Sequence, residues 1–380
     1  MSDFLPFTME RWQSTYENVV DYNLSESGVH PMTLGELLAL AGRRADDVRL
    51  GYGQSNGSLE LRHNIARLYR NASADNVCVT NGSAEANFIA MWTMVQPGSE
   101  VVVLTPTYMQ TPGLAAQIGA TVREVPLRES LAWQPDPSDL ERAITPETSL
   151  IVVTNPSNPT GAVLTEASRT ALLRAAARAG AWILADEVYT GAELDGEETR
   201  SFWGESPHVV ATGSLSKAYG LPGLRIGWLV APADLAEQLW ARKDYTTISP
   251  GDLTDYLAGL ALSKDVRPRI LQRTRQRIRL GWQITESWMR EMGCFTCRAP
   301  DAGAIAFARY DLPINSSVLA ERLRVEKSLL IVPGDHFQCD HFVRLGFGLP
   351  EPALRAALDR FAEVITEMSA ADLPHARGHT

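Results

Sequence analysis

The sequence predicts an α/β protein, with a large domain on a mainly parallel, doubly wound sheet and a smaller α+β domain after it. Two observations carry this expectation. Short β-branched runs alternate with helix-length segments from residue 76 to about 232, the pattern of parallel βαβ units. After about Asp234 the pattern changes to long helices and then to short strands.

Residues 1–45 read as an arm with a short helix that forms part of the smaller domain. The large domain is expected over 46–235. Its first strand is NVCVT (76–80), followed by a helix from Ala84 to about Val95. VVVLTP (101–106) is a strand with a helix after Pro112, and SLIVVTNP (149–156) a strand with a helix from Glu166 to Ala179. AWILADE (181–187), HVVATGS (208–214) and IGWLVAP (226–232) are further strands. Over 236–368 come helices at 235–245, 254–263 and 277–293, short strands at 304–310, 329–333 and 342–347, and a closing helix at 353–368. Residues 369–380 read as a frayed, flexible tail.

Composition excludes several classes. Hydrophobic residues make up 45% and charged residues 21% of 380, enough apolar material for a sizeable core. The net charge of −10 argues against nucleic-acid or anionic-membrane partners, which need basic patches. No run reaches the roughly 18 apolar residues of a membrane span, and the first residues lack a basic-then-apolar signal pattern, so a cytoplasmic protein is expected. The four cysteines, Cys78, Cys294, Cys297 and Cys339, are too scattered for a disulfide framework. Cys294 and Cys297 form a C-x-x-C, with His336, Cys339 and His341 later in the chain. Without a second close pair the thiols read as idle, and no metal site is expected.

The densest chemistry is in SLSKAYGLPGLRIGW (214–228). Lys217 stands beside Ser214, Ser216 and Arg225, a set suited to phosphate, among small residues that let backbone approach a ligand. A lysine beside a phosphate site, outside a P-loop pattern, suggests a Schiff base to a phosphorylated aldehyde such as pyridoxal 5'-phosphate. An ordinary surface lysine is the competing reading.

Other strand ends carry matching groups. NGSAEA (81–86) sets Ser83, Ala84 and Glu85 at a helix start, where free N–H groups favour a phosphate. A plain helix cap is the alternative. Tyr108, after the second strand, is placed to stack on a ring or to sit in the core. Asn155 and Asn158 lie in the rigid turn NPSNPTG (155–161), which can aim an amide at a ligand or simply turn the chain. Asp186 ends a strand, where burial demands a cationic partner, either a protonated ring nitrogen or a structural salt bridge. Tyr189 follows and can donate to a phenolic oxygen. Singly these are weak; in order along one sheet edge they form a coherent site.

With YGQSNGSLELR (52–62), TPTY (105–108), DEVY (186–189) and RLGFG (344–348), the chain resembles the class I/II aminotransferases, pyridoxal-phosphate enzymes of fold type I. The resemblance implies that Lys217 forms the Schiff base and moves the Cα proton. It implies that Asp186 pairs with the pyridine nitrogen, that Asn158 and Tyr189 hold the phenolic oxygen, and that Tyr108 stacks on the ring. Ser83, Ala84, Ser214, Ser216 and Arg225 would surround the phosphate, and Arg344 would grip the substrate α-carboxylate. Tyr52 would reach the cofactor of a neighbouring subunit, implying a homodimer. An amino acid would be the substrate.

Within the family, ESGVHPMTLGEL (26–37) and the VPG of 332–334 resemble the capreomycidine synthase subgroup. Such enzymes eliminate a hydroxyl from a hydroxyarginine and close a guanidine ring. On that resemblance Gly28, Glu26 and His30 line the substrate entrance, with Glu26 and His30 facing a guanidinium or serving as acid and base. A solvated arm is the alternative. DEVY keeps the ordinary aminotransferase pattern, so transamination is the expected reaction and hydroxyarginine cyclisation the alternative. A cofactor-binding regulator of this fold would carry an N-terminal DNA-binding domain, and the roughly 45 residues ahead of the cofactor-binding domain are not basic.

Overall fold

Buried β-branched and aliphatic runs build the main sheet. In the computed structural model, which describes residues 6–371, the strands run β1 (Tyr22–Asn23), β2 (Val77–Thr80), β3 (Glu100–Thr105), β4 (Thr121–Arg128), β5 (Gln134–Pro135), β6 (Thr148–Thr154), β7 (Trp182–Asp186), β8 (Val209–Ser214) and β9 (Gly227–Val230). Then follow β10 (Phe295–Thr296), β11 (Ile305–Tyr310), β12 (Leu329–Leu330), β13 (Val332–Pro333) and β14 (Phe342–Gly346). The eight-stranded sheet has the order β2-β9-β8-β7-β6-β3-β4-β5. Its centre, β8-β7-β6-β3-β4, is parallel, and helices cover it. A four-stranded antiparallel sheet, β10-β11-β14-β13, follows in the chain.

Four local outcomes differ from the expectation. β9 pairs antiparallel with both β8 and β2. The loop before it holds only the short 3-10 turn Pro222–Leu224, too little chain for a crossover. β4 went unread because its residues are mostly exposed and include Pro126, so it shows neither an apolar run nor clean alternation. The long helix starts at Arg267, ten residues before the expected start at Arg277, with Pro268 in its first turn. The closing helix runs Glu351–Ala371, so the first residues of the expected tail are helical; 372–380 lie outside the described residues.

Strand periodicity decides what meets at the site. In β7, Ile183 and Ala185 face one core layer while Leu184 faces the other, against Ala86, Ile89 and Ala90 of the helix Ser83–Met94. Asp186, two residues beyond Leu184, therefore points to the same side as that helix. Val210 of β8 shares this layer, which brings Thr212 to the same place.

The arm is not a solvated strap. Its helix, Thr8–Tyr16, buries Met9 and Gln13, and β1 pairs in parallel with β12. The Gly346 N–H donates to the Leu24 carbonyl and His30 N–H to the Gly348 carbonyl at 2.9 Å. A Cβ on Gly346 would stand 2.0 Å from the Glu26 carbonyl oxygen, so only glycine lets the arm cross β14 here. Residues 24–28 are thereby laid beside Arg344.

Leu184 is fully buried between β7 and the helix that begins at Ser83. Leu184→Ala is expected to lower stability by about 2–5 kcal/mol, read from the midpoint of urea unfolding, because it leaves a cavity in a packed layer.

Candidate active site

The carboxyl ends of the central strands open on a cavity of about 280 Å³. Of the residues singled out from sequence, Lys217, Asp186, Asn158, Tyr189, Tyr108, Ser83, Ala84, Ser216, Arg225, Glu26 and Arg344 line it. Gly28 and His30 line a smaller adjoining cavity of about 120 Å³, whose wall includes Glu26, Ser216 and Pro222 from the first.

One end of the cavity is a phosphate-sized cradle. The helix Ser83–Met94 begins after Gly82, whose φ of 88° suits glycine, with no side chain capping its first N–H groups. The Arg225 guanidinium packs so close that a Cβ on Gly82 would lie 2.3 Å from its Nη2. A Cβ on Gly227 would lie 2.4 Å from the Ser83 nitrogen. Bare backbone N–H groups, a helix dipole and a guanidinium converge there, as an oxyanion requires.

Asp186 is 6% exposed and forms no ion pair among the described residues. The Asn87 amide donates to its Oδ2 at 2.9 Å, and the Val188 N–H to Oδ1 at 3.3 Å. Asn87 is oriented in turn by Thr212, whose hydroxyl donates to its Oδ1 at 3.2 Å. Burial raises the carboxyl above its usual range, while these hydrogen bonds and Lys217 oppose the rise. A ring cation beside it would favour the ionised form.

Arg344 presents the opposite charge at the other end. It is 1% exposed, and burial lowers its pKa. Nη1 donates to Asn158 Oδ1 at 2.9 Å, and Nη2 donates to Gln13 Oε1 and to the Ser25 carbonyl. All these acceptors are neutral, and Nε has no partner. A buried guanidinium without a carboxylate is costly, and a ligand carboxylate would complete it. Tyr189 donates to the Ser27 hydroxyl at 2.9 Å and Tyr108 to Glu10 at 3.1 Å.

The structure turns two of the expected phosphate-side residues, Glu85 and Ser214, away from this cavity. The Glu85 carboxylate turns away from the cavity: it accepts from the Asn81 N–H at 2.6 Å and from Thr246 and Thr247. It closes the turn before the helix rather than touching a ligand. Ser214 accepts from the Ser216 N–H at 3.1 Å and lines a separate cavity. Tyr52 is 91% exposed and bridges to Gly251, away from the cavity of its own chain.

Sequence reasoning missed Asn87 and three residues of the first helix region, Glu10, Gln13 and Glu17, while Ser27 belongs to the SGVH (27–30) segment expected at the substrate entrance. The three of the helix region carried a signal, since spacings of three and four put them on one helix face. With Glu26 they make one wall of the cavity acidic. Burial raises the Glu17 carboxyl, and repulsion from Glu26 and Glu10 raises it further. Asn87 had no signal in the chain; it matters through its partner Asp186.

Elsewhere, Cys294 and Cys297 flank β10, and Cys297 Sγ lies 3.6 Å from the Phe307 carbonyl oxygen. Among the described residues no group of three or more His, Cys, Asp or Glu side chains is placed to hold a metal, and no helix is long and apolar enough to cross a membrane.

Pyridoxal 5'-phosphate fits this donor set: a cradle for its phosphate, an unpaired buried carboxylate for its ring nitrogen, and Lys217 on the same cavity. Asn87→Ala removes a hydrogen bond to the Asp186 carboxylate, an interaction of about 1.5–3 kcal/mol. Cofactor affinity is expected to fall on the order of 10- to 100-fold, and its onset with pH to move upward as Asp186 becomes harder to ionise. Fluorescence titration of the apoprotein across pH measures both; unchanged affinity would remove Asn87 from the site.

Comparison with known proteins agrees with this donor set. The model of the family "Aminotransferase class I and II" matches residues 25–361. Capreomycidine synthase of Streptomyces vinaceus is 36% identical over 365 residues, covering 94% of this chain and 91% of that protein. A PLP-dependent aminotransferase from Streptococcus suis superposes with a TM-score of 0.91 at 30% identity, covering 96% of this chain and 99% of that one. The PLP-dependent cyclase OrfR superposes with a TM-score of 0.88 at 28% identity, covering 96% and 97%. The chain belongs to the class I and II aminotransferase family, pyridoxal-phosphate enzymes of fold type I.

Proposed function

We propose that this enzyme acts at the Cα of an L-amino acid with a cationic, guanidinium-type side chain. The observation that carries the reading is the acidic wall. Glu26 faces the cavity with Glu10 and Glu17, and their mutual repulsion is relieved by a cation. Arg344, which bonds Gln13 beside that wall, would take the α-carboxylate, so neighbouring parts of the cavity recognise opposite charges. When bound through Lys217, pyridoxal phosphate supplies an electron-withdrawing ring that accepts the charge left by Cα deprotonation.

The residues then divide the work. The Lys217 amine takes and returns the Cα proton. Asp186, kept ionised by Asn87, Val188 and the ring cation, keeps the ring nitrogen protonated. The Asn158 amide nitrogen and the Tyr189 hydroxyl hold the phenolic oxygen, Tyr108 stacks on the ring, and the Ser83–Ala84 backbone with Ser216 and Arg225 holds the phosphate. Arg344 orients the substrate so that its Cα–H faces Lys217.

Two outcomes follow proton removal. Reprotonation followed by hydrolysis would release a keto acid and leave the amino group with the cofactor; loss of a side-chain hydroxyl with internal attack by a guanidine nitrogen would give a cyclic amino acid and water. The acidic wall and the likeness to capreomycidine synthase and to the cyclase OrfR support cyclisation of a hydroxylated arginine. The intact Tyr189, Asn158 and Lys217 set supports transamination as the second reading. His30, in the adjoining cavity, is held neutral: burial and then Arg277 and Arg273 lower its pKa. It is suited to accept the proton released when a guanidine nitrogen attacks.

The same reading makes the protein a cytoplasmic homodimer. The chain divides into an arm (1–45), a cofactor domain (46–235) and a smaller domain (236–368). Tyr52 of each subunit would contact the cofactor phosphate of the other. Tyr52→Phe is then expected to weaken cofactor binding in a species that sediments as a dimer; a monomer with normal cofactor affinity would contradict this.

Incubation of the cofactor-loaded protein with arginine, 3-hydroxyarginine and 4-hydroxyarginine, without keto acid, separates the outcomes by product mass. Loss of one water with no keto acid establishes cyclisation; a keto acid with pyridoxamine phosphate establishes transamination. Glu26→Gln is expected to raise KM for the cationic substrate by roughly tenfold or more, with kcat little changed. Faster turnover of neutral or acidic amino acids would overturn the substrate class.

A further inference from the structure

Behind the active site, on the other side of Val188, lies a second cavity of about 400 Å³ that the chemistry above does not use. Its inner group is Glu187, the chain neighbour of Asp186. Residues 186 and 187 point to opposite sides of the strand end, so consecutive acids serve different cavities. Glu187 is 5% exposed and makes no ion pair among the described residues. Its Oε1 accepts from the Phe202 N–H at 2.7 Å and the Ser201 hydroxyl at 2.9 Å, while among the described residues no hydrogen bond engages Oε2.

The surrounding groups are of one kind. Thr190 and Thr199 line the cavity, and their buried hydroxyls have no hydrogen-bond partner among the described residues. The walls are aromatic, from Tyr69, Trp203, Tyr219 and Trp228. The lining arginines offer little to a ligand anion. Arg267 is bound to Glu198 and Tyr219, Arg200 pairs with Glu166 and Glu205, and Arg70, like the lining Glu197, is exposed. A carboxylate oxygen, two hydroxyl acceptors and aromatic faces make an environment for a cation that donates hydrogen bonds.

We propose that this second cavity binds a small organic cation of the amine or guanidine class, with Glu187 as its counter-ion and Thr190 and Thr199 as hydrogen-bond acceptors. The pocket is within the volume range of small-molecule sites. Occupancy is linked to pH through the carboxylate. Burial pushes Glu187 up to about 7; the Phe202 N–H, the Ser201 hydroxyl and Arg169 oppose the rise, and Asp186 adds to it. Tyr69, also facing this carboxyl, is itself raised and stays neutral. The cation requires the ionised acid, so affinity rises as pH passes upward through about 7 and falls below it.

The test uses the holoenzyme with its cofactor fixed to Lys217 by borohydride reduction, so that amines cannot react there. Calorimetric titration with methylguanidinium and, separately, methylammonium chloride, against sodium chloride at equal ionic strength, reads binding and separates the two chemistries. Saturable binding of at least one cation is expected, tenfold or more weaker in Glu187→Gln, unchanged in Glu26→Gln, and weaker at pH 6 than at pH 8. Thr199→Val should weaken it several-fold and serves if Glu187→Gln does not fold. Four results would overturn the site: no saturation above the salt control, equal affinity in Glu187→Gln or Thr199→Val, loss in Glu26→Gln, or affinity independent of pH.

Discussion

Much of this structure follows from one electrostatic constraint: Asp186 is buried at the end of a central strand with hydrogen bonds but no cation. A carboxylate in that position costs several kcal/mol unless a positive charge joins it, and among the described residues none stands within ion-pair distance. The sheet and the helix from Ser83 leave that position for the ring of pyridoxal phosphate. Arg344 is the same device with the sign reversed, a buried guanidinium whose bonds all go to neutral acceptors. Two unpaired charges of opposite sign at the ends of one cavity define the two ionic groups that belong between them.

Holding such groups ready demands a rigid frame. Parallel strands buried on both faces place Asp186 and Thr212 at adjacent strand ends, and the packed helix face brings Asn87 to both. The arm completes the other side. Gln13 donates to the Ser25 carbonyl and hydroxyl at 2.9 and 3.1 Å, and the same carbonyl receives Arg344. The first helix, the arm and the last strand thus form one unit around the substrate carboxylate, and they also carry the acidic wall that sets the side-chain preference.

The motifs legible in the chain were those in which residue type alone implies a role. Lys217, Asp186, Asn158 and Arg225 lie at strand ends or turns, where a polar side chain among apolar runs stands out, and all four line one cavity. Asn87 was illegible because it sits mid-helix among Ala86, Ile89 and Ala90, and only the packing of that helix on β7 gives it a partner. Glu85 misled for the converse reason. It belongs to a phosphate-loop motif, yet a residue near a helix start can turn its side chain back to the preceding N–H. β4 and the antiparallel turn of β9 depended on exposure and loop length, which periodicity does not report.

The most direct test of the central claim compares binding of pyridoxal phosphate with that of its 1-deaza analogue, which has the same shape and phosphate but no ring nitrogen to protonate. The wild-type apoprotein is expected to prefer the natural cofactor at least tenfold, and Asp186→Asn to lose most of that preference. Equal affinity of the wild type for both compounds would contradict the account, because Asp186 would then not be waiting for a cation.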